Sequence, residues 1–597
     1  MTTLRRAASL ATIALLVAGS ARAQQRPPEC GSPSPHALPS DSIGSAVRML
    51  LTDPSATVRL AAARALGRAD SRDLIKQAAA RPPGDKDPRH ALAIALSDTN
   101  DAVRIAAACA LGVVGDASTL PSLRMRAAKA SPALRLVAEW ATARVRAAAQ
   151  PLLLRDATVI DGTAVPARPH TSVLIEADLI TRVGPAESFS VPAGTRIVDA
   201  SGLWVTPGLW DMHVHLGKTG ATALPLLIGA GVTAVRDMGG ELDALLDLRR
   251  RILNGDLVGP RLVLAGPMLE SPATLERLDT LRTNEPYRRT RIAVRTVADA
   301  RRVVDSIARL GVDFIKVRET ANLDIYREIV VAARANNLRL AGHAPYSMDP
   351  LEGAHLGITT FEHASYPYPL DTVPVNRERL LDAFRAGQTA IVPTMVAWSS
   401  YLMDPDSVKA LIADSAGVRD ARRRLLSEQL VQEWGFDIAP KQRLSDAALR
   451  GWCGFVNRTL ADLTAMHKAG IPILPGTDLS TVALFPGWSL HDELQTLVDG
   501  GVFSPGDALR SATSLAARYA GQAEQVGTVE AGKRADLLLL GADPTVSIAA
   551  LRELEMVIVN GKVLDRATLL KLRGGVPLKY EAGVDLLPRL DGAGCSI

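Results

Sequence analysis

Short apolar strands alternate with helical stretches across residues 207–527 of this 597-residue chain. Eight candidate strands end near His215, Asp237, Ala265, Val317, His343, Glu362, Thr394 and Thr477. Eight strands that alternate with helices over about 320 residues predict an α/β fold built on a (β/α)8 TIM barrel with insertions. Polar residues at the carboxyl ends of these strands are the first candidates for a functional site, because chemistry in such barrels occurs there.

Strand-like segments also lie on both sides of the barrel. Alternating, β-branched runs occur after residue 152, and further strand-like runs cover residues 535–540 and 556–563. Such runs between turn residues are typical of short antiparallel strands. We therefore expect residues 149–206 and 528–597 to form one composite β-sandwich that flanks the barrel.

An internal repeat precedes these strands. Residues 51–67 read LTDPSATVRLAAARALG, residues 96–112 read LSDTNDAVRIAAACALG, and a weaker third copy begins at Ser131. Alanine and leucine at helical spacing predict stacked helix pairs, and the pattern resembles HEAT repeats over residues 40–148. This all-α segment is interpreted either as a surface for a protein partner or an oligomer contact, or as a small structural cap.

The N-terminus has the features of an export signal. Arg5 and Arg6 precede an apolar stretch, and Ala21-Arg22-Ala23 is a typical cleavage site. Residues 1–23 are predicted to be a signal peptide and residues 24–39 a linker, so we expect a secreted or periplasmic protein with no stable membrane span after cleavage. Removal of three arginines and no acid lowers the formal net charge from +5 to +2. No basic run with interleaved aromatic residues is present, so nucleic acid is not an expected partner.

Four cysteines occur without CxxC spacing, so a thiolate metal site is not expected. Cys109 lies in an apolar run and is predicted to be a buried free thiol. Export would permit disulfides, and a pair between Cys30 and Cys595 is one of the arrangements that the sequence leaves open.

Histidines and one aspartate occupy the predicted strand ends. His213 and His215 are two residues apart on one strand, so both imidazoles point to the same face and can reach one metal ion. His343 and His363 end two later strands, and Asp478 follows the eighth. Their positions predict a metal site at the mouth of the barrel.

Lys316 lies inside a predicted buried strand, in the run DFIKV. A buried lysine is costly without a partner. One interpretation is a lysine that extends from the strand end to solvent. The other is an amine that has reacted with CO2, giving a carbamate that bridges two metal ions.

The motifs PGLWDMHVHLG, DFIKV, GHAPYS, TTFEHAS and PGTDLS, in this order, are similar to those of the amidohydrolase superfamily. The resemblance is greatest to its imidazolonepropionase-like and prolidase-like branch. The runs GTVEAGKRADLLLL and NGKV resemble the C-terminal sandwich of the same family, so the similarity covers residues 152–566.

The resemblance implies a role for each matched position. His213, His215 and Asp478 would hold one metal ion, His343 and His363 a second, and a carboxylated Lys316 would bridge two zinc ions. Metal ions lower the pKa of bound water toward about 7, so a bridging hydroxide would attack the substrate. Asp478 would take its proton and pass it to the leaving group.

The expected substrate is an amide-type C–N bond in a small peptide or an N-acyl amino acid. Arg236 could face a substrate carboxylate or form a structural ion pair, and Tyr346 is a second candidate for substrate binding. Alternatives are a lactonase or esterase, and a mononuclear deaminase or cyclic-amide hydrolase. A non-enzymatic alternative is a binding protein that uses the HEAT-like surface and carries a vestigial barrel.

Overall fold

A computed structural model describes most of the chain from residue 43 onward. The described residues are 43–67, 88–115, 119–120, 122–123, 131–176, 178–188, 191–192, 194–253, 256–281, 287–343, 350–363, 374–400, 402–579, 590–591 and 594–595. The predicted signal peptide, the predicted linker and Tyr346 lie outside them. No helix in this part of the chain is long and apolar enough to cross a membrane.

The strands, numbered in chain order, are β1 (Leu152–Val159), β2 (Arg168–Glu176), β3 (Leu179–Pro185), β4 (Arg196–Asp199), β5 (Trp204–Pro207), β6 (Leu209–Val214), β7 (Val232–Asp237), β8 (Arg261–Leu264), β9 (Met268–Glu270), β10 (Arg291–Ala293), β11 (Phe314–Val317), β12 (Arg339–Gly342), β13 (Thr360–Glu362), β14 (Ala390–Val392), β15 (Leu537–Leu540), β16 (Leu554–Val559), β17 (Lys562–Asp565), β18 (Leu590–Asp591) and β19 (Gly594–Cys595).

Helices precede, connect and follow these strands. In the barrel region and beyond they are Leu216–Thr219, Ala223–Gly229, Leu242–Leu253, Pro272–Leu281, Tyr287–Thr290, Val297–Arg309, Leu323–Ala335, Pro350–Leu356, Pro374–Gly387, Met395–Ser400, Pro405–Ala413, Glu428–Ile438, Asp446–Lys468, Trp488–Asp499, Pro505–Arg510, Ala516–Tyr519 and Arg566–Leu572.

The N-terminal segment is helical, as its repeat predicts. Its helices are Ile43–Thr52, Ala56–Leu66, Pro88–Ala95, Asp101–Val114 and Pro132–Ala149. Their alanine, leucine and valine side chains bury a hydrophobic core of their own.

The two clear copies of the repeat also share a local interaction. Arg59 donates from Nη1 to the backbone oxygen of Asp53, and Arg104 donates from Nη1 to that of Asp98, each at 2.8 Å. The Arg59 guanidinium also pairs with the Asp98 carboxylate, with its Nε 2.7 Å from Oδ2. The equivalent arginine therefore fixes the turn of each copy. Arg59 also links the first copy to the second through Asp98.

The cysteine prediction was wrong for Cys109. This residue is buried, but it is disulfide-bonded, and so is Cys453. The helix Asp446–Lys468, which carries Cys453, packs against β19. An apolar local sequence indicates burial, and it carries no information on a bonding partner from a distant segment.

The strands on both sides of the barrel pair in one continuous eight-stranded sheet. Its order is β17-β16-β15-β5-β1-β2-β3, with β4 beside β1. Leu179, at the start of β3, bridges Arg534 just before β15, and Ile180 donates its backbone N–H to the oxygen of Lys533 at 2.8 Å. The sheet therefore curls and encloses a core of its own, with Leu154, Val173 and Leu537 inside.

Parallel strands form the barrel. β6, β7 and β8 make one sheet, and β11 to β14 pair in sequence in another. The backbone N–H of Asp313 donates to the oxygen of Leu264 at 2.8 Å and joins the two sheets. On the other side, Ile391 bridges Ile473 and Val214 bridges Leu479, both parallel. Backbone pairing therefore passes around the ring and returns to β6, in agreement with the predicted fold.

Seven of the eight predicted barrel strands are regular, and the eighth is reduced to the bridges at Ile473 and Leu479. Pro472 and Pro475 lie in this segment, and proline has no N–H to donate to a ladder. The short strands β9 and β10 were not predicted. β9 pairs with β11 where Leu269 faces Val317.

Candidate metal centre

Three of the predicted ligands meet at the mouth of the barrel. His213 lies in β6, His215 follows β6, and Asp478 lies beside them because its N–H donates to the backbone oxygen of His213 at 2.8 Å. Oδ1 of Asp478 is 3.5 Å from Nε2 of His213 and 3.3 Å from Nε2 of His215. One ligand atom from each residue lies within 4.8 Å of the others, so this set can hold a divalent metal ion.

The other three predicted ligands surround the same point. The ring centroid of His363 is 4.4 Å from that of His213 and 4.9 Å from that of His343. Lys316 in β11 is opposite Ala341 in β12, so it lies beside the strand that leads to His343. Its side chain is 1% exposed, and Nζ has no hydrogen-bond partner among the described residues. The structure therefore brings all six predicted ligands together.

The backbone is strained where it presents these groups. Three non-glycine residues at the mouth have positive φ: His363 at 60°, Thr394 at 51° and Asp478 at 55°. Such conformations are unfavourable for residues with a side chain, and they occur preferentially at functional sites. Gly476 allows the eighth segment to approach β6, because an added Cβ would lie 2.9 Å from the Cβ of His213.

Hydrogen bonds to Asp211 connect the eighth segment, which contains Thr477, to β6. Its carboxylate accepts hydrogen bonds from the backbone N–H of Thr477 at 3.0 Å, from the Thr477 hydroxyl at 2.6 Å and from the N–H of His213 at 3.2 Å. Burial raises the pKa of Asp211 to about 7. This residue fixes two ligands, His213 and Asp478, relative to each other.

Each of three histidines has an acceptor at Nδ1. His213 Nδ1 lies 2.8 Å from Oε2 of Glu362, His215 Nδ1 lies 3.0 Å from the oxygen of Gly239, and His363 Nδ1 lies 2.9 Å from the Thr394 hydroxyl. Donation from Nδ1 leaves Nε2 as the atom with a lone pair, which is the usual arrangement in histidine–metal sites. Nε2 of His213 is buried without a hydrogen-bond partner in the described structure, so a metal ion fits its surroundings.

Electrostatics at the site disfavour positive charge on the ligands. The pKa of Lys316 is lowered to about 8, mainly by burial; the charges of Arg236 and Arg318 act in the same direction, and those of Glu362 and Asp478 oppose it. Burial is also the main cause that holds the pKa of His343 well below its usual value. A neutral amine is the form of lysine that reacts with CO2, and neutral imidazole is the form that binds metals.

The structure contradicts a substrate-binding role for Arg236. The residue is 2% exposed, and its Nε, Nη1 and Nη2 each donate at 2.8 Å, to the oxygen of Met212, the Thr360 hydroxyl and Oε1 of Glu362. All three guanidinium nitrogens are thus hydrogen-bonded inside the barrel. Of the two interpretations of Arg236, the structural ion pair is the one observed.

Glu362 is a residue of the candidate site that sequence reasoning missed. It is fully buried, and it links His213 to Arg236 and Thr360. Burial alone would raise its pKa, but Arg236 and His213 outweigh that effect and lower the pKa to about 2. A charged residue inside the apolar run TTFEH was the available signal, and it is the same signal that identified Lys316.

Helices inserted between β14 and the eighth segment pack against the mouth. The helix Glu428–Ile438 docks on the short helix Leu216–Thr219, which follows His215. Lys218 Nζ donates to Glu433 at 2.9 Å, and the Ser427 hydroxyl donates to the oxygen of Thr219 at 2.7 Å. The insertion therefore supports the loop that carries His215.

Comparison with protein families gives two matches. The amidohydrolase family matches residues 204–564, and HEAT repeats match residues 45–143. The first match covers the barrel and the strands β5, β15, β16 and most of β17 of the flanking sheet, and the second covers the N-terminal helices.

Individual proteins resemble the barrel region. The imidazolonepropionase of Caulobacter sp. (strain K31) is 26% identical over 372 residues, which are 60% of this chain and 84% of that protein. The imidazolonepropionase of Geobacillus kaustophilus (strain HTA426) is 23% identical over 433 residues, which are 66% and 89% of the two chains.

Among solved structures, a putative prolidase from Bifidobacterium longum is similar with a TM-score of 0.54 and 25% identity, over 71% of this chain and 99% of that one. The bottromycin amidohydrolase has a TM-score of 0.56 and 22% identity, over 74% and 96% of the two chains. The similarity to the bottromycin amidohydrolase shows that the two proteins share a fold.

Proposed function

Because the chain belongs to the amidohydrolase family, we propose that it is a metal-dependent hydrolase of amide-type C–N bonds in small peptides or N-acyl amino acids. Membership rests on the match to residues 204–564, which is more than half of the chain, and confirms the resemblance that the motifs indicated. The observation that carries the proposal is the convergence of six ligand residues at the carboxyl ends of the barrel strands, where such enzymes act.

Two zinc ions would be held by this set. His213, His215 and Asp478 suit one ion, and His343 and His363 suit the second. A carboxylated Lys316 would bridge them, which would give its buried Nζ the partners that it lacks among the described residues. When bound, the ions supply a hydroxide nucleophile at neutral pH and polarise the substrate carbonyl.

We assign the proton transfer to Asp478. Its Oδ1 lies against His213 and His215, while Oδ2 accepts a hydrogen bond from the Thr481 hydroxyl at 3.1 Å. The carboxylate can therefore accept a proton from the attacking water and later give it to the leaving amine. Asp211 accepts two hydrogen bonds from Thr477 and so fixes the backbone that precedes Asp478.

The comparisons support an amide substrate, which is either a small peptide or a cyclic amide. The similar structure from Bifidobacterium longum is described as a putative prolidase, which favours small peptides. The relatives from Caulobacter and Geobacillus kaustophilus are imidazolonepropionases, which makes hydrolysis of a cyclic amide the second candidate. Lys316 favours the first candidate, because a one-metal site needs no bridging group.

The proposal also includes the location of the protein and the role of the HEAT repeats. The signal-like N-terminus and the disulfide bonds of Cys109 and Cys453 support a secreted or periplasmic location, because disulfides persist in oxidising compartments. The HEAT repeats would provide a surface for a protein partner or for oligomer contacts.

A substrate screen tests the proposed reaction. The zinc-loaded protein is assayed against dipeptides, N-acyl amino acids, cyclic amides and lactones, with Asp478→Asn as the inactive control. We expect release of amines from dipeptides or N-acyl amino acids, and loss of this activity in the control. Hydrolysis of lactones alone would overturn the amide assignment, and hydrolysis of cyclic amides alone would favour the second candidate.

A further inference from the structure

Arg318 is placed beside the metal-ligand cluster by the same strand that carries Lys316. Its backbone N–H donates to the oxygen of Leu269 at 2.9 Å, so the pairing of β11 with β9 continues one residue past the end of β11. Side chains two residues apart on a paired strand point to the same face. Arg318 therefore lies on the face of Lys316, one step nearer the mouth, and its side chain is 31% exposed.

A buried acid holds this arginine at one nitrogen. Nη1 of Arg318 donates to Oε2 of Glu270 at 3.1 Å, and the Glu270 side chain is fully buried. Nε of Arg291 lies 3.7 Å from the same oxygen. Within the described part of the chain, no further hydrogen bond of the Arg318 side chain is found. The other donors of the guanidinium have no partner among these residues, and they can bind a ligand.

Arg318 and Arg236 differ in burial and in hydrogen bonding. Arg236 is inside the barrel, and each of its three guanidinium nitrogens donates a hydrogen bond. Arg318 is partly exposed at the mouth, and its charge acts on both Lys316 and His343. It is thus close to the ligands that would hold the second metal ion.

We propose that Arg318 binds a carboxylate of the substrate, so that the enzyme acts on amides that carry a free carboxylate group. A guanidinium matches a carboxylate with two parallel hydrogen bonds, and a site at the mouth reaches a bound substrate. Glu270 is a positioning residue, because it orients Arg318 without facing the mouth. This assignment rests on the proposed hydrolysis of amide bonds and specifies its substrate class.

Binding tests the assignment without turnover. Calorimetry compares N-acetyl-L-leucine with N-acetyl-L-leucinamide on the zinc-loaded protein inactivated by Asp478→Asn. We expect the acid to bind at least tenfold more tightly than the amide, and Arg318→Met to remove this preference. Arg309→Met is the matched control, because Arg309 is exposed on the helix that precedes β11, at the other end of the strand. Equal binding of the two compounds, or a preference that persists in Arg318→Met, would overturn the assignment.

Removal of Arg318 leaves Glu270 buried with a weaker partner, and this can destabilise the fold. The double variant Arg318→Met/Glu270→Gln removes both charges and keeps the test valid if the single variant does not fold. Arg318→Lys retains the charge and loses the planar fork, so we expect it to keep part of the preference.

Turnover separates this assignment from the proposed function. In the enzyme with Asp478 intact, we expect Arg318→Met to raise KM for acetate release from N-acetyl-L-leucine by at least tenfold and to leave kcat within about threefold. If neither compound releases acetate but the acid still binds through Arg318, the carboxylate-binding role of Arg318 is supported. The same result would contradict the proposed hydrolysis of N-acyl amino acids. A lower kcat with unchanged KM would show instead that Arg318 serves only to maintain the site.

Discussion

Glu362 accepts a hydrogen bond from Nδ1 of His213 at 2.8 Å, in the fully buried interior of the barrel. The two residues are separated by 149 positions and belong to β13 and β6. The second carboxylate oxygen pairs with Arg236, so a buried ion pair and a candidate metal-ligand histidine share one acid. The contact sets the tautomer of His213 and aims its Nε2 at Asp478.

Glu362→Gln should weaken metal binding. The amide can still bond to His213, but it cannot supply the negative charge that favours donation from Nδ1 and balances Arg236. Loss of such supporting contacts lowers metal affinity by about 10- to 100-fold. Zinc affinity is measured by competition with a chelator, and Glu241→Gln, at a position 43% exposed, is the control. Unchanged zinc affinity in a folded Glu362→Gln protein would contradict the assigned role.

Gly112→Ala should destabilise the HEAT repeats and leave the barrel intact. An added Cβ would lie 2.2 Å from a ring carbon of Trp140, which is 3% exposed and cannot move without displacing its neighbours. Overpacking of this kind costs about 1–3 kcal/mol. Calorimetric unfolding should show the loss, and hydrolytic activity should be unaffected.

Gly435→Ala is the matched helical control for that experiment. A Cβ at this position meets no atom within 4 Å, so alanine should stabilise the helix by about 0.5–1 kcal/mol. If Gly112→Ala were as stable as Gly435→Ala, the packing of the repeat core against Trp140 would be incorrect.

His491 should make the fold sensitive to acid. Burial lowers its pKa to about 3, with further contributions from the charges of Arg552 and Arg573, and the ring is neutral with Nε2 donating to the oxygen of Ala230 at 2.9 Å. The unfolded chain gains a proton near pH 6.5, whereas the folded chain does not. Stability from this residue is therefore complete above pH 6.5 and is lost as the pH falls toward 3, by about 1.4 kcal/mol per unit.

Denaturant unfolding between pH 7 and pH 4 measures this effect. His491→Gln retains a side-chain donor and does not titrate, so its stability should decline less steeply than that of the wild type. His90→Gln, at an exposed position, controls for the loss of a histidine. Equal slopes for the wild type and His491→Gln would rule out the proposed contribution.

Local patterns were sufficient to predict the barrel and the side chains that meet at its mouth. His213, His343 and His363 each stand at the end of a short apolar strand, and the barrel geometry brings strand ends together. The eighth strand was predicted as regular from its apolar residues, but Pro472 and Pro475 limit its pairing to two bridges.

Long-range partners could not be predicted from the sequence. Arg236 was recognised as a charged strand end, yet its partner Glu362 lies 126 residues away, and no local pattern connects the two. The same limit applies to Cys109, whose apolar surroundings predicted burial correctly and bonding incorrectly. Arg318 was not recognised, because its importance depends on the pairing of β11 with β9 and on the buried Glu270.

The most direct test of the central claim is the zinc content of the wild type and of Lys316→Ala, measured by mass spectrometry on the purified, folded proteins. The convergence of His213, His215, His343, His363 and Asp478 around Lys316 predicts about two zinc ions per wild-type chain. Without the bridging lysine we expect metal and hydrolytic activity to be lost together. Full zinc occupancy in Lys316→Ala, or a single zinc ion in an active wild type, would contradict a binuclear centre bridged by Lys316.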